Sequence, residues 1–309
     1  MHRRNVLSGP YLDREAHLRS DPEWIARALA DPASRLVPVS QSRSLVTGHD
    51  PPHAVLLSLA ELPAELRNPE DLILLGRRKG ASVFAGEVPE TVALAATHDA
   101  RFEDLRMIAA LLAEEEAGLL AYARAMVTWR QRHRFCGTCG SATVAARGGH
   151  VRLCSRPDCR AEAFPRLDPA VIVLVSDADQ ALLGRQAAWP SGRYSTIAGF
   201  VEPGESLEDA VAREVDEETG VTVDRIEYHS SQPWPFPGSL MVGFTAHAVT
   251  RAIELRDGEL EDAGWFSRAD IAAGRPLLPP RQSISYRLIE DWFDAGFERP
   301  LREVLASRR

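Results

Sequence analysis

The residues best suited to chemistry lie in one stretch, residues 199–221, which reads GFVEPGESLEDAVAREVDEETGV. Ser206 is a good helix N-cap, and Asp209 completes a pair of the capping-box kind. Gly220 suits the left-handed residue that commonly ends a helix. The stretch therefore predicts a helix over residues 207–219.

Three acidic side chains accompany the apolar stripe of this predicted helix. At 100° per residue, the stripe consists of Leu207, Val211 and Val215. The acids beside or within it are Glu214, Glu217 and Glu218. Carboxylates near a core-facing stripe repel one another and lose hydration, which is costly unless cations compensate. Because clustered hard oxygen ligands suit Mg²⁺ or Mn²⁺, the pattern predicts a divalent metal site, with a solvated acidic helix face as the alternative.

A second candidate metal site is formed by the four cysteines of the chain. Cys136 and Cys139 make a C-x2-C pair, and Cys154 and Cys159 make a pair with a four-residue spacer. This spacing is within the range of tetrahedral Zn²⁺ sites, in which four thiolates leave no open position. The alternatives are free buried cysteines or two disulfides, and disulfides are rare in the cytosol. A zinc ribbon can also bind nucleic acid, so this feature alone does not select a function.

A proline-rich segment follows the acidic helix and reads SQPWPFPGS over residues 231–239. Alternating prolines hold the backbone extended and stiff, and they present Trp234 and Phe236 from a rigid loop. Aromatic faces on such a loop suit stacking against a flat ring. The alternative is a purely structural proline-rich turn.

The composition is that of an ordinary globular protein, with 45% hydrophobic and 26% charged residues among 309. The net charge of -8 argues against a bulk polyanion binder, although bound cations can still attract a small pyrophosphate. The arginines near the N-terminus are not followed by an apolar signal region, and the strongly apolar run at residues 170–175 is too short to span a bilayer. A cytoplasmic protein without a membrane partner is therefore expected.

The remaining patterns predict three domains: an N-terminal α/β domain at residues 1–130, a zinc ribbon at 131–167 and a third domain at 168–309. The predicted strands are residues 54–59, 72–75, 92–96, 171–175 and 240–249. The further predicted helices are residues 104–129, with a possible bend at Gly118, and 283–297. The fully apolar strand at 171–175 is typical of a strand covered on both faces.

Residues 199–221 match the Nudix box, G-x5-E-x7-R-E-U-x-E-E-x-G-U with U aliphatic, at every specified position. The chain therefore resembles the Nudix hydrolases, which cleave a nucleoside diphosphate linked to another group. The proline-rich segment and the four cysteines resemble the NADH pyrophosphatase subfamily, as do residues 164–169 and 277–280. The resemblance implies an α+β fold, namely a Nudix α/β/α sandwich with a mixed sheet, preceded by a zinc ribbon and an N-terminal α/β domain.

The resemblance also implies which residues form the site. The implied ligands of Mg²⁺ or Mn²⁺ are Ala198 (through its backbone carbonyl), Glu214, Glu218 and Glu259. The implied catalytic acids are Glu214, Glu217, Glu218 and Glu259. Of these, Glu218 is favoured over Glu217 for positioning or deprotonating the attacking water. Arg213 is expected to pair with Glu205 and so hold the geometry between loop and helix. The implied substrate-site residues are Phe164, Phe200, Ser231, Gln232, Pro233, Trp234, Pro235, Phe236, Pro237, Gly238, Ser239, Met241 and Ser285.

The implied activity is cleavage of NAD(H) to nicotinamide mononucleotide and AMP, and some members of the subfamily also remove NAD caps from RNA 5′ ends. The implied cofactors are catalytic Mg²⁺ or Mn²⁺ and structural Zn²⁺, in a homodimer. The alternatives are a Nudix hydrolase of ADP-ribose or a nucleotide sugar, a Nudix-type regulator that binds nucleotide without hydrolysis, and a zinc-ribbon nucleic-acid adaptor. The complete Nudix box disfavours a regulator without hydrolytic activity, and the net negative charge of the chain disfavours a nucleic-acid adaptor. Without a strand–G-x-G-x-x-G–helix unit, NAD is expected to bind as a substrate.

Overall fold

The computed structural model describes residues 3–9, 11–97, 99–256 and 258–308. The chain divides into two compact units. The N-terminal unit comprises Val6–Leu167 and Pro233–Gly238. The C-terminal unit comprises Met1–Asn5, Asp168–Gln232 and Ser239–Arg309. No helix among the described residues is both long and apolar enough to cross a bilayer.

A mixed sheet forms the first part of the N-terminal unit. Its strands are β1 (Arg35–Ser40), β2 (Arg43–Thr47), β3 (His53–Ala54), β4 (Leu57–Ser58), β5 (Leu72–Arg78), β6 (Ala81–Glu87) and β7 (Ala100–Glu103). The strand order is β3-β2-β1-β6-β5, with β4 pairing with β1 and β7 with β2. β1 runs parallel to β6 and antiparallel to β2, so the sheet is mixed. The predicted strand at 54–59 is thus split into β3 and β4.

Helices cover this sheet on both faces, because successive apolar residues of its strands point to opposite faces of the sheet and each face needs a covering layer. The helices are α1 (Pro22–Ala30), α2 (Glu90–Ala95), α3 (Leu105–Ile108) and α4 (Glu114–Arg132), with 3-10 turns at Ala16–Leu18, Leu59–Glu61 and Ala64–Arg67. On β5, Ile73 and Leu75 belong to the core that includes α4, whereas Leu72 and Leu74 belong to the core that includes α1.

Two predictions for the N-terminal unit were wrong. Residues 92–96, expected as a strand from their valine and flanking residues, lie mostly in α2, where Pro89 precedes a run with glutamate, alanine and leucine, which are good helix formers. The helix expected over 104–129 is two helices, α3 and α4, and the second runs unbroken through Gly118. A Cβ at Gly118 would lie 2.4 Å from the carbonyl oxygen of Gly9, so this glycine permits a close backbone approach instead.

A small antiparallel sheet completes the N-terminal unit. Its strands are β8 (Thr143–Ala146), β9 (Val151–Cys154) and β10 (Glu162–Ala163). The order is β10-β9-β8, and the cysteine pairs lie before β8 and around the end of β9.

The C-terminal unit is built on a second mixed sheet. Its strands are β11 (Asp168–Asp177), β12 (Gln180–Arg185), β13 (Ile197–Phe200), β14 (Val223–Trp234), β15 (Ser239–Ala248) and β16 (Asp262–Ser267). The order is β14-β15-β11-β12-β16, with β13 pairing with β11. β11 is parallel to β15 and antiparallel to β12 and β13. The strands expected at 171–175 and 240–249 are confirmed as parts of β11 and β15.

Helices lie on both faces of the central strand β11. They are α5 (Leu207–Thr219), α6 (Arg268–Ala272), α7 (Ile284–Asp294) and α8 (Leu301–Ala306). Val171 and Val173 pack in the core that includes α5, and Ile172 and Leu174 in the core that includes α7. The expectation of a doubly covered strand is confirmed, and so is the α+β fold with its α/β/α sandwich. The terminal helix expected at 283–297 ends earlier, and α8 follows it.

Candidate active site

Helix α5 begins and ends where its sequence predicts. The Ser206 hydroxyl accepts the Asp209 N–H at 3.1 Å, and the Asp209 carboxylate accepts the Ser206 N–H at 3.1 Å. Gly220 has φ 68° and ψ 6°, and its N–H donates to Asp216 O at 2.7 Å. Because both ends are fixed locally, the acidic side chains of α5 have a defined rotation relative to the core.

The three glutamates of α5 differ in their exposure to solvent. Val211 and Val215 are fully buried, and Glu218 beside them is 3% exposed. The side chain of Glu214 is 12% exposed, whereas that of Glu217 is 51% exposed. Two carboxylates are therefore withdrawn from bulk water, and the third lies at the rim. Ionised groups in such positions need compensating positive charge.

The Glu214 carboxylate rests directly on the backbone of β13. A Cβ built on Gly199 would lie 1.9 Å from the Glu214 carboxyl carbon and about as close to both of its oxygens. Only a glycine therefore leaves room for this carboxylate. Ala198, whose carbonyl is an expected metal ligand, is the adjacent residue of β13.

Arg213 connects the loop before α5 to two of its glutamates. Its Nε donates to Glu205 at 2.5 Å, and its Nη2 donates to Glu205 at 3.0 Å and to Phe200 O at 2.9 Å. Its Nη1 donates to Glu214 at 2.9 Å and to Glu217 at 2.8 Å. Such bidentate, charge-assisted bonds fix orientation strongly. The structure thus places Arg213 where the sequence suggests, holding the loop and the helix together.

Negative charge is crowded around Glu214. Burial raises the pKa of Glu214, the Arg213 guanidinium opposes this, and the nearby charges of Glu217 and Glu259 raise the pKa further. Glu259 lies in the segment before β16, so the site draws on a part of the chain far from α5. Carboxylate oxygens are hard metal ligands, and a group of them that repel one another fits a divalent cation. We call the space that Gly199 leaves for the Glu214 carboxylate the glycine cradle.

We expect Glu205→Gln to change how stability depends on acid. Hydrogen bonds from Arg213 and the Glu202 N–H hold the pKa of Glu205 at about 2, below its ordinary 4.5. A depressed carboxyl pKa gives stability that is full above pH 4.5 and is lost as the pH falls toward about 2. Urea midpoints should therefore show the variant less stable at neutral pH, with the two curves converging in that window. Parallel curves would contradict this, and Glu208→Gln, an exposed glutamate of α5, is the control.

The four cysteines converge as a zinc site requires. Their sulfur atoms all lie within 4.8 Å of one another. The Thr138 N–H donates to Cys136 Sγ at 3.4 Å, and this bond and one from the Cys139 backbone lower the pKa of Cys136. Backbone donors that favour the thiolate suit a structural zinc ion, which binds thiolates.

Comparison with known proteins covers nearly the whole chain. Residues 166–292 match the NUDIX domain, residues 33–129 the NADH pyrophosphatase-like rudimentary NUDIX domain, and residues 131–164 the NADH pyrophosphatase zinc ribbon domain. The NAD-capped RNA hydrolase NUDT12 of Homo sapiens is 35% identical over 93% of this chain and 73% of its own length. The NAD-capped RNA hydrolase NudC of Mycobacterium tuberculosis is 39% identical over 93% and 94%, and that of Stutzerimonas stutzeri is 43% identical over 73% and 79%.

The chain belongs to the Nudix hydrolases. It also has the zinc ribbon and the rudimentary Nudix domain of the NADH pyrophosphatases, so the predicted subfamily is confirmed. The sequence patterns identified the N-terminal region only as an α/β domain. They missed that it is a second, rudimentary Nudix domain, because its acidic box is not there to be found.

The Nudix glycine Gly199 offers a direct test of the cradle under Glu214. Gly199→Ala should lower kcat/KM for NADH about tenfold or more, because the added methyl displaces the carboxylate and small displacements in a site are costly. Steady-state kinetics would measure it. Gly264→Ala is the matched control, since a Cβ there would meet the Phe266 ring at an ordinary 3.4 Å. Equal activity of the two variants would refute the cradle.

Two predicted substrate-site residues of this Nudix hydrolase are engaged in internal bonds. Gln232 is 0% exposed, and its amide donates to Gln282 O at 2.7 Å and accepts the Ile284 N–H at 2.8 Å. Ser285 accepts the Thr196 N–H at 3.1 Å. Both residues thus tie the first turn of α7 to neighbouring segments, which is a positioning role.

The proline-rich segment divides between the two units. Within the N-terminal unit, Phe236 is 8% exposed, and the guanidiniums of Arg106 and Arg124 lie over its ring at 4.6 and 4.8 Å from the ring centre. Trp234 meets Phe236 edge-on at 5.0 Å, and Pro235 O accepts from Arg124 at 2.8 Å. Most of the Phe236 ring surface is therefore used in packing, while Trp234 remains partly exposed.

The other predicted substrate-site residues vary in exposure. Phe164, in the N-terminal unit, is 48% exposed, and Phe200, in the C-terminal unit, is 60% exposed. Ser239 is buried at the start of β15, and Met241 beyond it is half-buried. The remaining members are Ser231, Pro233, Pro237 and Gly238, of which Pro237 is exposed.

One positioning residue had no signal in the sequence. Asn5 donates to Ser231 O at 2.8 Å and to Ser230 Oγ at 3.1 Å, and it accepts from Arg287 at 3.0 Å. It thereby joins the chain's first residues to β14 and α7. Its partners lie more than two hundred residues away, so no local pattern could reveal it.

Proposed function

We propose that this Nudix hydrolase cleaves the pyrophosphate of NAD(H) to nicotinamide mononucleotide and AMP, and removes NAD caps from RNA 5′ ends. The observation that carries the proposal is the similarity to NAD-capped RNA hydrolases over 93% of the chain. The complete Nudix box and its ordered helix α5 support a catalytic chain, because the glutamates and their arginine are all present.

The proposed metal ligands are Glu214, Glu218, Glu259 and the carbonyl of Ala198, for Mg²⁺ or Mn²⁺. When bound, such a cation neutralises phosphate charge and lowers the pKa of a bound water. The substrate phosphates are anionic and the site carboxylates are too, so a pyrophosphate without cations would be repelled. The Glu214 carboxylate, held in the glycine cradle of Gly199, would supply a metal ligand of fixed position. Arg213 keeps Glu205 and the loop before α5 in place.

In the proposed reaction, Glu218 orients the attacking water and accepts its proton. The water oxygen forms a bond to one phosphorus, and the bond from that phosphorus to the bridging oxygen breaks in line. The two products each leave with a phosphate monoester, so no further reactant is needed. The burial of Glu218 supports this role, because a desolvated carboxylate is a better proton acceptor than an exposed one. Glu217 is the alternative acceptor, and its exposure favours Glu218.

For stacking on a flat ring of the substrate we propose aromatic residues that are at least partly exposed, each within its own unit. These are Phe164 and Trp234 in the N-terminal unit and Phe200 in the C-terminal unit. Stacking on such rings tolerates either oxidation state of the nicotinamide. Gln232 and Ser285 act by fixing the first turn of α7, through bonds to Gln282, Ile284 and Thr196.

Product analysis tests the proposal. The protein is incubated with NADH, NAD, ADP-ribose and NAD-capped RNA, with Mg²⁺ or Mn²⁺ present, and products are separated by chromatography. Nicotinamide mononucleotide from NADH and from capped RNA is the expected result. Turnover of ADP-ribose alone would indicate another Nudix specificity, and binding of nucleotide without any product would indicate a regulator.

The proposal includes a homodimer in the cytoplasm, as the sequence resemblance implies. Four cysteines without disulfide bonds are compatible with a reducing compartment. Light scattering coupled to gel filtration would measure the assembly, and a monomeric mass would remove the dimer from the proposal.

A further inference from the structure

The start of β13, in the C-terminal unit, is irregular. Ser195 exchanges two backbone hydrogen bonds with Gly184 of β12, at 2.8 and 2.9 Å, whereas Ile197 pairs with Val173 of β11. In a regular strand, residues two apart bond to the same neighbouring strand. The chain therefore departs from regular strand geometry between Ser195 and Ile197, at Thr196.

A side chain of α7 supplies the hydrogen bonds at this irregular position. The Ser285 hydroxyl accepts the Thr196 N–H at 3.1 Å and the Thr196 hydroxyl at 2.9 Å, and it lies 2.8 Å from Ser195 Oγ. Thr196 is 5% exposed and Ser285 is 3% exposed, so water does not replace these bonds easily. Because a buried N–H without a partner is costly, Ser285 holds Thr196 in this irregular conformation.

The three contacts use the whole bonding capacity of the Ser285 hydroxyl. A serine hydroxyl has one proton to donate and two lone pairs with which to accept. The two donors of Thr196 occupy the lone pairs, which leaves the proton for Ser195 Oγ. The side chain of Ser285 therefore has no remaining position at which to bind a substrate, and its role has to be sought in what it holds.

The Ala198 carbonyl, just beyond this position, is directed away from β11. The Val201 N–H donates to Pro169 O at 3.1 Å, and the antiparallel register is regular back to Ala198. Bonded and non-bonded pairs alternate along such a ladder, so Gly199 belongs to a bonded pair and Ala198 does not. The Ala198 carbonyl thus lies outside the ladder with β11. Its carbon is bonded to the nitrogen of Gly199, on which the Glu214 carboxylate rests, so two proposed metal ligands meet here.

We propose that Ser285 is a positioning residue for the divalent cation: by holding Thr196 at the irregular start of β13, it sets the direction of the Ala198 carbonyl beside Glu214. The proposal rests on the proposed function, because it takes this carbonyl as a metal ligand. It replaces the substrate contact that the sequence resemblance implies for the Ser285 side chain. Groups that orient a ligand govern metal affinity, and Mg²⁺ in particular demands near-ideal geometry.

Mn²⁺ binding to the zinc-loaded protein without substrate, followed by electron paramagnetic resonance, tests the proposal. Ser285→Ala should raise the Kd for Mn²⁺ about tenfold, as the loss of a group that orients a metal ligand does. The KM for NADH at saturating Mn²⁺ should stay within about twofold, because the substrate does not contact this hydroxyl.

A second pair of variants tests the same contact from the other side. Thr196→Val loses the hydroxyl that donates to Ser285 and should raise the Kd for Mn²⁺ about threefold or more, whereas Thr196→Ser keeps it and should bind as the wild type does. The double variant of Thr196→Val with Ser285→Ala should bind Mn²⁺ no more weakly than Ser285→Ala, since both changes remove one shared interaction. If Ser285→Ala does not fold, the two Thr196 variants carry the test.

Ser283→Ala is the matched control for a general loosening of α7. The Ser283 hydroxyl caps this helix two residues earlier, where it accepts the Tyr286 N–H at 3.2 Å. Loss of the cap should lower the thermal midpoint and leave the Kd for Mn²⁺ within about twofold of wild type.

An unchanged Kd for Mn²⁺ in Ser285→Ala, or equal binding by Thr196→Val and Thr196→Ser, would overturn the proposal. An equal rise in Ser283→Ala would do the same, and a raised KM for NADH with unchanged Mn²⁺ binding would return Ser285 to the substrate site. Failure of the proposed function would look different: the wild-type protein would bind Mn²⁺ and yet release no nicotinamide mononucleotide from NADH.

Discussion

Replacing Glu218 by glutamine should lower kcat for NADH hydrolysis by about 100-fold or more, with the fold intact. Glu218 is 3% exposed in the last turn of the Nudix helix α5, and glutamine keeps its shape. The amide has no negative charge, so it neither accepts a proton from water nor holds a divalent cation well. The loss is therefore expected in kcat more than in KM. Rates of nicotinamide mononucleotide release at saturating NADH, with each metal in turn, measure it.

A matched variant separates this effect from a general change in helix charge. Glu208→Gln removes the same charge from an exposed position of the same helix and should leave kcat within about twofold. Circular dichroism and zinc content establish that both variants are folded. If Glu218→Gln kept kcat within about fivefold of wild type, Glu218 would be neither base nor metal ligand, and Glu217 would become the candidate.

The elements that the sequence predicted well are those fixed by nearby residues. Helix α5 is bounded by a serine cap and a left-handed glycine, and each acts within one turn of the helix end. Strand β11 alternates valine with other apolar residues over a length that only a doubly covered strand explains. The cysteine spacing likewise predicted a cluster because both pairs are short-range turns.

The features that the sequence could not predict depend on distant partners. The box pattern requires a glycine at Gly199, but only the fold brings Glu214 onto it. Phe236 is a stacking candidate by composition, yet two arginines from the rudimentary Nudix domain lie over its ring. The helix α2 was missed because six residues are too few for periodicity to outweigh a β-branched valine. Tertiary packing decides such cases, and local propensity does not.

The two Nudix domains of this chain differ in which Nudix features they retain. The C-terminal domain has the acidic helix, whereas the N-terminal domain keeps a mixed sheet and a long helix, α4, without a box. In the N-terminal unit, α4 presents arginines at its end to the zinc ribbon.

Loss of the zinc site should unfold the ribbon. Cys154→Ser should release the zinc and speed amide exchange in β8 and β9 by about 100-fold or more, because structural zinc supplies most of the folding free energy of such small modules. Cys154 is fully buried at the end of β9, the strand that pairs with both β8 and β10, so loss of its thiolate affects the whole small sheet. Hydrogen exchange with mass spectrometry and metal analysis measure the two effects.

The control variant is Ser155→Ala, at the exposed neighbour of Cys154, which should change neither the zinc content nor the amide exchange. Retained zinc or unchanged exchange in Cys154→Ser would mean that the thiols do not hold the metal.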